Sequence, residues 1–161
     1  MTGNASREEY VLEAQVRESL KRVPVTALGS LFNALLAGLS IGGSFDIYTC
    51  LWMGGMVILA TFRLLHASRA SKPQGRAQCQ TTANTLTAIA LVSGGLWGLL
   101  FAYAGTHTNS SQFSLLMMLA GGVTGASIIT YSILPKAAHA FVLPLALGGI
   151  IGWIVRGGDD Q

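Results

Sequence analysis

Residues 77–135 contain no Asp, Glu, Lys or Arg. A water-soluble domain rarely goes so long without a charge, because its surface has to be solvated. A chain that crosses a bilayer can, because a charge near the hydrocarbon midplane costs about 2.5–3.5 kcal/mol on insertion scales. The feature therefore identifies the solvent of this protein as lipid. Across all 161 residues only 11% are charged, well below the roughly 25% of an ordinary soluble domain. Few groups suited to catalysis remain. The basic residues are not interleaved with aromatics, which argues against a nucleic-acid partner. The length suits one domain, and the polar N-terminus does not have the pattern of a cleavable signal peptide.

The apolar runs predict an all-α, polytopic transmembrane helix bundle with five spans, at about residues 23–42, 47–65, 82–104, 113–134 and 137–155. Each is close to the ~20 residues that a helix needs to cross the hydrocarbon. The runs lack the two-residue alternation of a membrane barrel. Residues 1–22 are expected to form an amphipathic helix, with Ser6 and Glu9 as a capping box and Leu12, Val16 and Leu20 on one stripe. That helix either leads into the membrane as a solvated segment or lies in the interface against headgroups or a partner. Pro24 suits the first turn of span one, and Arg63 suits the end of span two, where it could snorkel to water. Residues 156–161 form a polar tail.

Orientation follows from the basic residues. Arg7, Arg17, Lys21, Arg22, Arg63, Arg69, Lys72, Arg76 and Lys136 fall on one side of the predicted membrane, and Arg156 on the other. The positive-inside rule then predicts a cytoplasmic N-terminus in a bacterial inner membrane. Five spans would carry the C-terminus outside.

Four Gly-x-x-x-Gly pairs occur, each within a different span: Gly38 and Gly42, Gly94 and Gly98, Gly121 and Gly125, Gly148 and Gly152. Glycines four apart line one helix face and let another backbone approach. These eight residues are expected at helix contacts within the bundle, with a dimer interface as the alternative. None resembles a phosphate loop.

The spans hold no acid apart from Asp46 at an outer turn, which weighs against a proton-coupled pump. Polar side chains inside them are expected to hydrogen-bond across helices or to their own backbone. Asn33, Ser93, Trp97, Thr124 and Ser127 are the candidates for lining a small-ligand pocket. A bis-histidine haem would need two ligands that face each other, and the positions of His66 and His139 alone do not show that. They are read as boundary residues, and His107 as a loop residue. No catalytic, cofactor-binding or metal-binding residue is assigned. Cys50 in span two and Cys79 in the basic loop fall on opposite sides and are read as unpaired thiols. Asn109-Ser110-Ser111 matches a glycosylation sequon that is short and frequent by chance.

A string of segments carries a resemblance. In order they are KRVPVTALGSLFNALLAG at 21–38, LWMGGMVILATFRLL at 51–65, GGLWGLLF at 94–101, LAGGVTGASI at 119–128 and LPKAAHAFVLPLALGG at 134–149. With this order and spacing, residues 17–155 resemble the N-terminal membrane region of bacterial sensory proteins, chiefly diguanylate cyclases with a C-terminal GGDEF domain. Similar regions precede EAL phosphodiesterase and histidine kinase domains. The resemblance implies a six-helix region followed by a cytoplasmic output domain that works as a pair, hence a homodimer. This chain departs from that pattern, with five spans, no GGDEF or EAL motif, and only a superficial echo in GGDDQ at 157–161. It looks like an excised, truncated or degenerate input region. The expected role is a signal-input and anchoring module, not an enzyme, which passes its state to an output domain or partner protein. A small transporter or channel subunit, or a structural subunit of a membrane complex, are the other readings.

Overall fold

The computed structural model describes residues 2–41, 46–70 and 75–159. They form five α-helices: α1 (Thr2–Ser40), α2 (Ile47–Arg69), α3 (Arg76–His107), α4 (Ser110–Tyr131) and α5 (Pro135–Asp159). All five are long and apolar enough to span a membrane. The chain is an all-α, multi-pass membrane protein with five candidate spans. Large apolar side chains such as Phe32, Ile58, Met118 and Trp153 point outward from every part of the bundle. In water such a surface would aggregate. In lipid it is the ordinary outer face.

Two helices run further than hydropathy alone suggests. The 39 residues of α1 amount to about 58 Å at ~1.5 Å per residue, nearly twice the ~30 Å of hydrocarbon. The amphipathic segment and span one are therefore one continuous helix. It begins at Thr2, ahead of Ser6, so Ser6 is not its cap, and Pro24 lies inside it rather than in its first turn. The N-terminal part carries pairs typical of a solvated helix, Glu13 with Arg17 at 2.8 Å and Glu18 with Arg22 at 3.4 Å. Its apolar stripe is not left in the interface. Val16, Leu20 and Val23 are buried in the same cluster as Cys79 and Ala83 of α3. Cys79 thus belongs to a helix rather than a loop, and both cysteines are free, Cys50 exposed and Cys79 buried.

Local chemistry sets the remaining ends. Asp46 caps α2 by accepting from the Thr49 amide at 2.6 Å, and His66 and Arg69 lie in the last turn, where cations suit the helix dipole. Before α3, Gly75 has φ 82°, a conformation that an L side chain rarely adopts. The exposed first amide of α3, at Arg76, donates to the Glu9 carboxylate of α1 at 3.1 Å. Asn109 and Gln112 form a reciprocal capping box at the start of α4. The sequon-like asparagine is therefore a helix cap. At the same end Arg156 donates to the Thr108 carbonyl and the Ser110 hydroxyl, each at 2.8 Å, with its guanidinium over the Phe113 ring. It ties the end of α5 to the α3–α4 turn.

The central helix is α3, which contacts each of the other four. Its closest partner is α5, and glycine is the reason. A Cβ added at Gly94 would overlap the Phe141 carbonyl, and one at Gly98 the Pro144 carbonyl. One at Gly148 would meet the Gly98 backbone, and one at Gly105 the Gly152 backbone. The contacts advance along both helices together, so α3 and α5 run parallel, as the third and fifth of alternating spans must. Gly38 lies against Met53 of α2, and Gly42 lies outside the described residues. The pair in α4 behaves differently. Gly121 and Gly125 are exposed, with nothing within 4 Å of an added Cβ. The expectation of a contact within the bundle fails there, because that face of α4 points away from α1, α3 and α5.

Candidate functional site

The span-two arginine does not snorkel. In α2, Arg63 is flanked by apolar turns and is only 6% exposed. The helix is rotated so that this position faces inward with Trp52, Met56 and Ala60. A guanidinium has five N–H donors and stays charged at any accessible pH. Among the described residues Arg63 has only neutral partners. Its Nη2 donates to the Tyr131 hydroxyl of α4, and its Nη1 approaches the Ser30 hydroxyl of α1 at 3.4 Å. The Tyr131 ring centroid lies 5.9 Å from the guanidinium carbon, within the range of a cation–π contact. None of the ion pairs among the described residues includes Arg63. A buried charge without a counter-charge carries an unrecovered desolvation penalty.

Arg63 borders a cavity of about 230 Å³. Thr26, Gly29, Ser30 and Asn33 line it from α1, and Ser127, Thr130 and Tyr131 from α4, with Phe141 of α5 behind. Several of these polar groups are already turned to backbone. Asn33 donates to the Gly29 carbonyl at 2.9 Å, and Thr130 to the Ala126 carbonyl at 2.7 Å. Asn33 keeps a second amide N–H, and that donor and the guanidinium are what the cavity offers to an acceptor. The side between α1 and α4 is open, since Val25 on its rim is 74% exposed.

Of the five pocket candidates, Asn33 and Ser127 come together here. The other three do not line this cavity. Ser93 and Trp97 are buried in α3, where Trp97 meets Trp52 edge-on at 5.2 Å, and Thr124 is half-buried on α4. Trp52 is itself fixed by its indole N–H, which donates to the Leu96 carbonyl at 2.8 Å. The residues that sequence reasoning missed are Ser30, Tyr131 and, in this role, Arg63. The available signal was the rule that an intramembrane ionisable residue marks function unless it can reach water.

Away from the basic end, a second polar cluster joins α2 to α3. Tyr48, Tyr103 and His107 form a stack, with ring centroids 4.1 Å and 4.0 Å apart. The Tyr103 hydroxyl donates to Asp46, and the Tyr48 hydroxyl to the Leu99 carbonyl at 3.0 Å. The Tyr103 hydrogen bond, followed by the Thr49 amide, holds the Asp46 carboxyl below its usual range. These contacts make the cluster a clamp between the two helices. The ring of His139 is held to the Pro135 carbonyl at 2.7 Å, and His66 stacks on Phe62. Among the described residues no group of three His, Cys, Asp or Glu side chains converges as a metal site would require.

No protein-family model, curated protein or solved structure matches the chain.

Proposed function

We propose that this chain is the membrane-embedded input and anchoring module of a bacterial cyclic di-GMP signalling protein. It sits in the inner membrane with its N-terminus in the cytoplasm, senses a small or lipid-phase signal, and passes its state to a cytoplasmic output domain or partner protein. The cyclic di-GMP part rests on the resemblance of residues 17–155 to the membrane regions of diguanylate cyclases. The sensing part rests on the Arg63 cavity.

That cavity favours a receptor over a conduit. A transport path would need polar groups in a continuous row across the bundle. Beyond Phe141 the described core is filled instead by Trp97, Leu100, Phe101 and Leu116, all with no exposed surface. On that side the hollow is closed. It also lies where occupancy can be felt, because Arg63 links α2 to the last residue of α4, next to the turn into α5. A ligand that prefers one arrangement of these helices shifts the equilibrium by its difference in affinity for the two.

The test is cellular. Deleting the gene in its native host should change the cyclic di-GMP level, and a chromosomal Arg63→Gln replacement should change the response to the signal while membrane abundance stays equal. An unchanged level after deletion, under every growth condition in which the chain is expressed, contradicts the reading.

A further inference from the structure

The geometry points to an oxyanion as the ligand of the Arg63 cavity: a single phosphate or carboxylate group, carried on an anionic amphiphile or free in solution. This deepens the input-module reading and rests on it for its purpose, though the chemistry of the site stands by itself.

Three observations converge. The guanidinium is more than nine-tenths buried, and its described partners are the neutral hydroxyls of Tyr131 and Ser30. Two of its five donors are thereby engaged, and the remaining ones are matched by the fork geometry of a carboxylate or phosphate. An arriving anion would supply the counter-charge that the described protein lacks. The cavity also has the right size. At about 230 Å³ it is smaller than the ~300–1,000 Å³ of a typical drug-sized site. It would hold the volume of seven or eight waters at ~30 Å³ each, enough for one hydrated head group but not for a lipid. The third observation is access. Gly29 forms part of the wall, and a Cβ added there meets nothing within 4 Å. With exposed Val25 on the rim, the opening between α1 and α4 leaves a path for an alkyl tail toward the lipid.

The experiment uses the full chain, purified in a neutral detergent and titrated calorimetrically with decyl phosphate, decanol and inorganic phosphate. Two variants are compared with the parent. Arg63→Gln removes the charge. Gly29→Leu fills the hollow while keeping Arg63, and it decides the matter if Arg63→Gln does not fold. The expected result is saturable binding of decyl phosphate, none of decanol, and a loss of affinity of roughly tenfold to a hundredfold in each folded variant, as for a lost hydrogen bond to a charged group. Decyl phosphate binding more tightly than inorganic phosphate identifies a lipid-phase source, and equal binding identifies a soluble one. No saturable binding of either anion, or binding that the folded variants leave intact, overturns the proposal. Cyclic di-GMP is not in the readout. Failure here leaves the input-module reading with another ligand, and failure of that reading leaves this site standing.

Discussion

Arg63 of α2 donates a hydrogen bond to the Tyr131 hydroxyl of α4, and among the described residues the backbones of these two helices are not in contact. One long side chain thus bridges them directly. Removing only the acceptor, by Tyr131→Phe, should destabilise the bundle by about 1–2 kcal/mol, at the upper end for interhelical hydrogen bonds in membranes because the donor is charged. Ser30→Ala should do less, since its contact is 3.4 Å long. Reversible unfolding in mixed micelles reads both. A Tyr131→Phe variant as stable as the parent would mean that the guanidinium is satisfied elsewhere.

The glycines give a contrast within one motif. Gly98→Ala and Gly148→Ala each place a methyl on a facing backbone, which cannot swing aside as a side chain can. Each should cost about 1–3 kcal/mol, as overpacking does. Gly121→Ala meets open space and should leave the parent's stability unchanged or raise it by up to about 1 kcal/mol, because alanine is the better helix former. Equal effects at Gly98 and Gly121 would show that α3 and α5 are not packed backbone to backbone.

Much of this fold is legible in the sequence, because bilayer thickness fixes how long an apolar run must be. The five spans follow from that alone. The extensions of α1 and α3 do not, because Glu13, Glu18 and Cys79 lie in helix beyond the apolar runs, held by packing rather than by lipid. Identical Gly-x-x-x-Gly patterns in α3 and α4 have opposite surroundings, since the motif permits close approach but does not supply the facing helix. Arg63 was misplaced for a related reason. About half a turn of rotation about the helix axis separates an outward arginine from a buried one, and that rotation is set by Trp52 and Met56 packing inward. Polarity alone singles out Asn33 and Ser127, but Ser93 and Thr124 are just as polar, and only tertiary structure places the first pair at the cavity and the second away from it.

Acid should weaken the clamp between α2 and α3. The Tyr103 hydroxyl and then the Thr49 amide lower the Asp46 pKa from its ordinary 3.8. A depressed folded-state pKa stabilises the fold fully above the unfolded value and progressively less as pH falls through the folded one. The Asp46 contribution should therefore be constant from neutral pH down to about the ordinary carboxylate range, and be lost below 3.8. Melting curves of parent and Asp46→Asn should lie apart at neutral pH and converge in acid. A constant gap through that range would mean that the carboxylate charge plays no part.

Orientation is open to direct labelling. In a variant carrying Cys50→Ser and Cys79→Ala, single cysteines at the exposed positions Ser68 and Ser111 lie at opposite ends of the bundle. With a cytoplasmic N-terminus, a membrane-impermeant maleimide added to intact cells should label Ser111→Cys and spare Ser68→Cys until the cells are lysed. The reverse pattern would invert the topology.

The central claim is that occupancy of the Arg63 cavity changes how the helices are packed at their basic end. Spin labels at Ser68→Cys on α2 and Lys136→Cys on α5, in the same cysteine-free background, report that packing as a distance distribution by pulsed electron resonance. With decyl phosphate bound, the distribution should shift toward one of two populations, and Gly29→Leu should abolish the shift. A single distribution that stays the same with the ligand demonstrably bound would contradict the account.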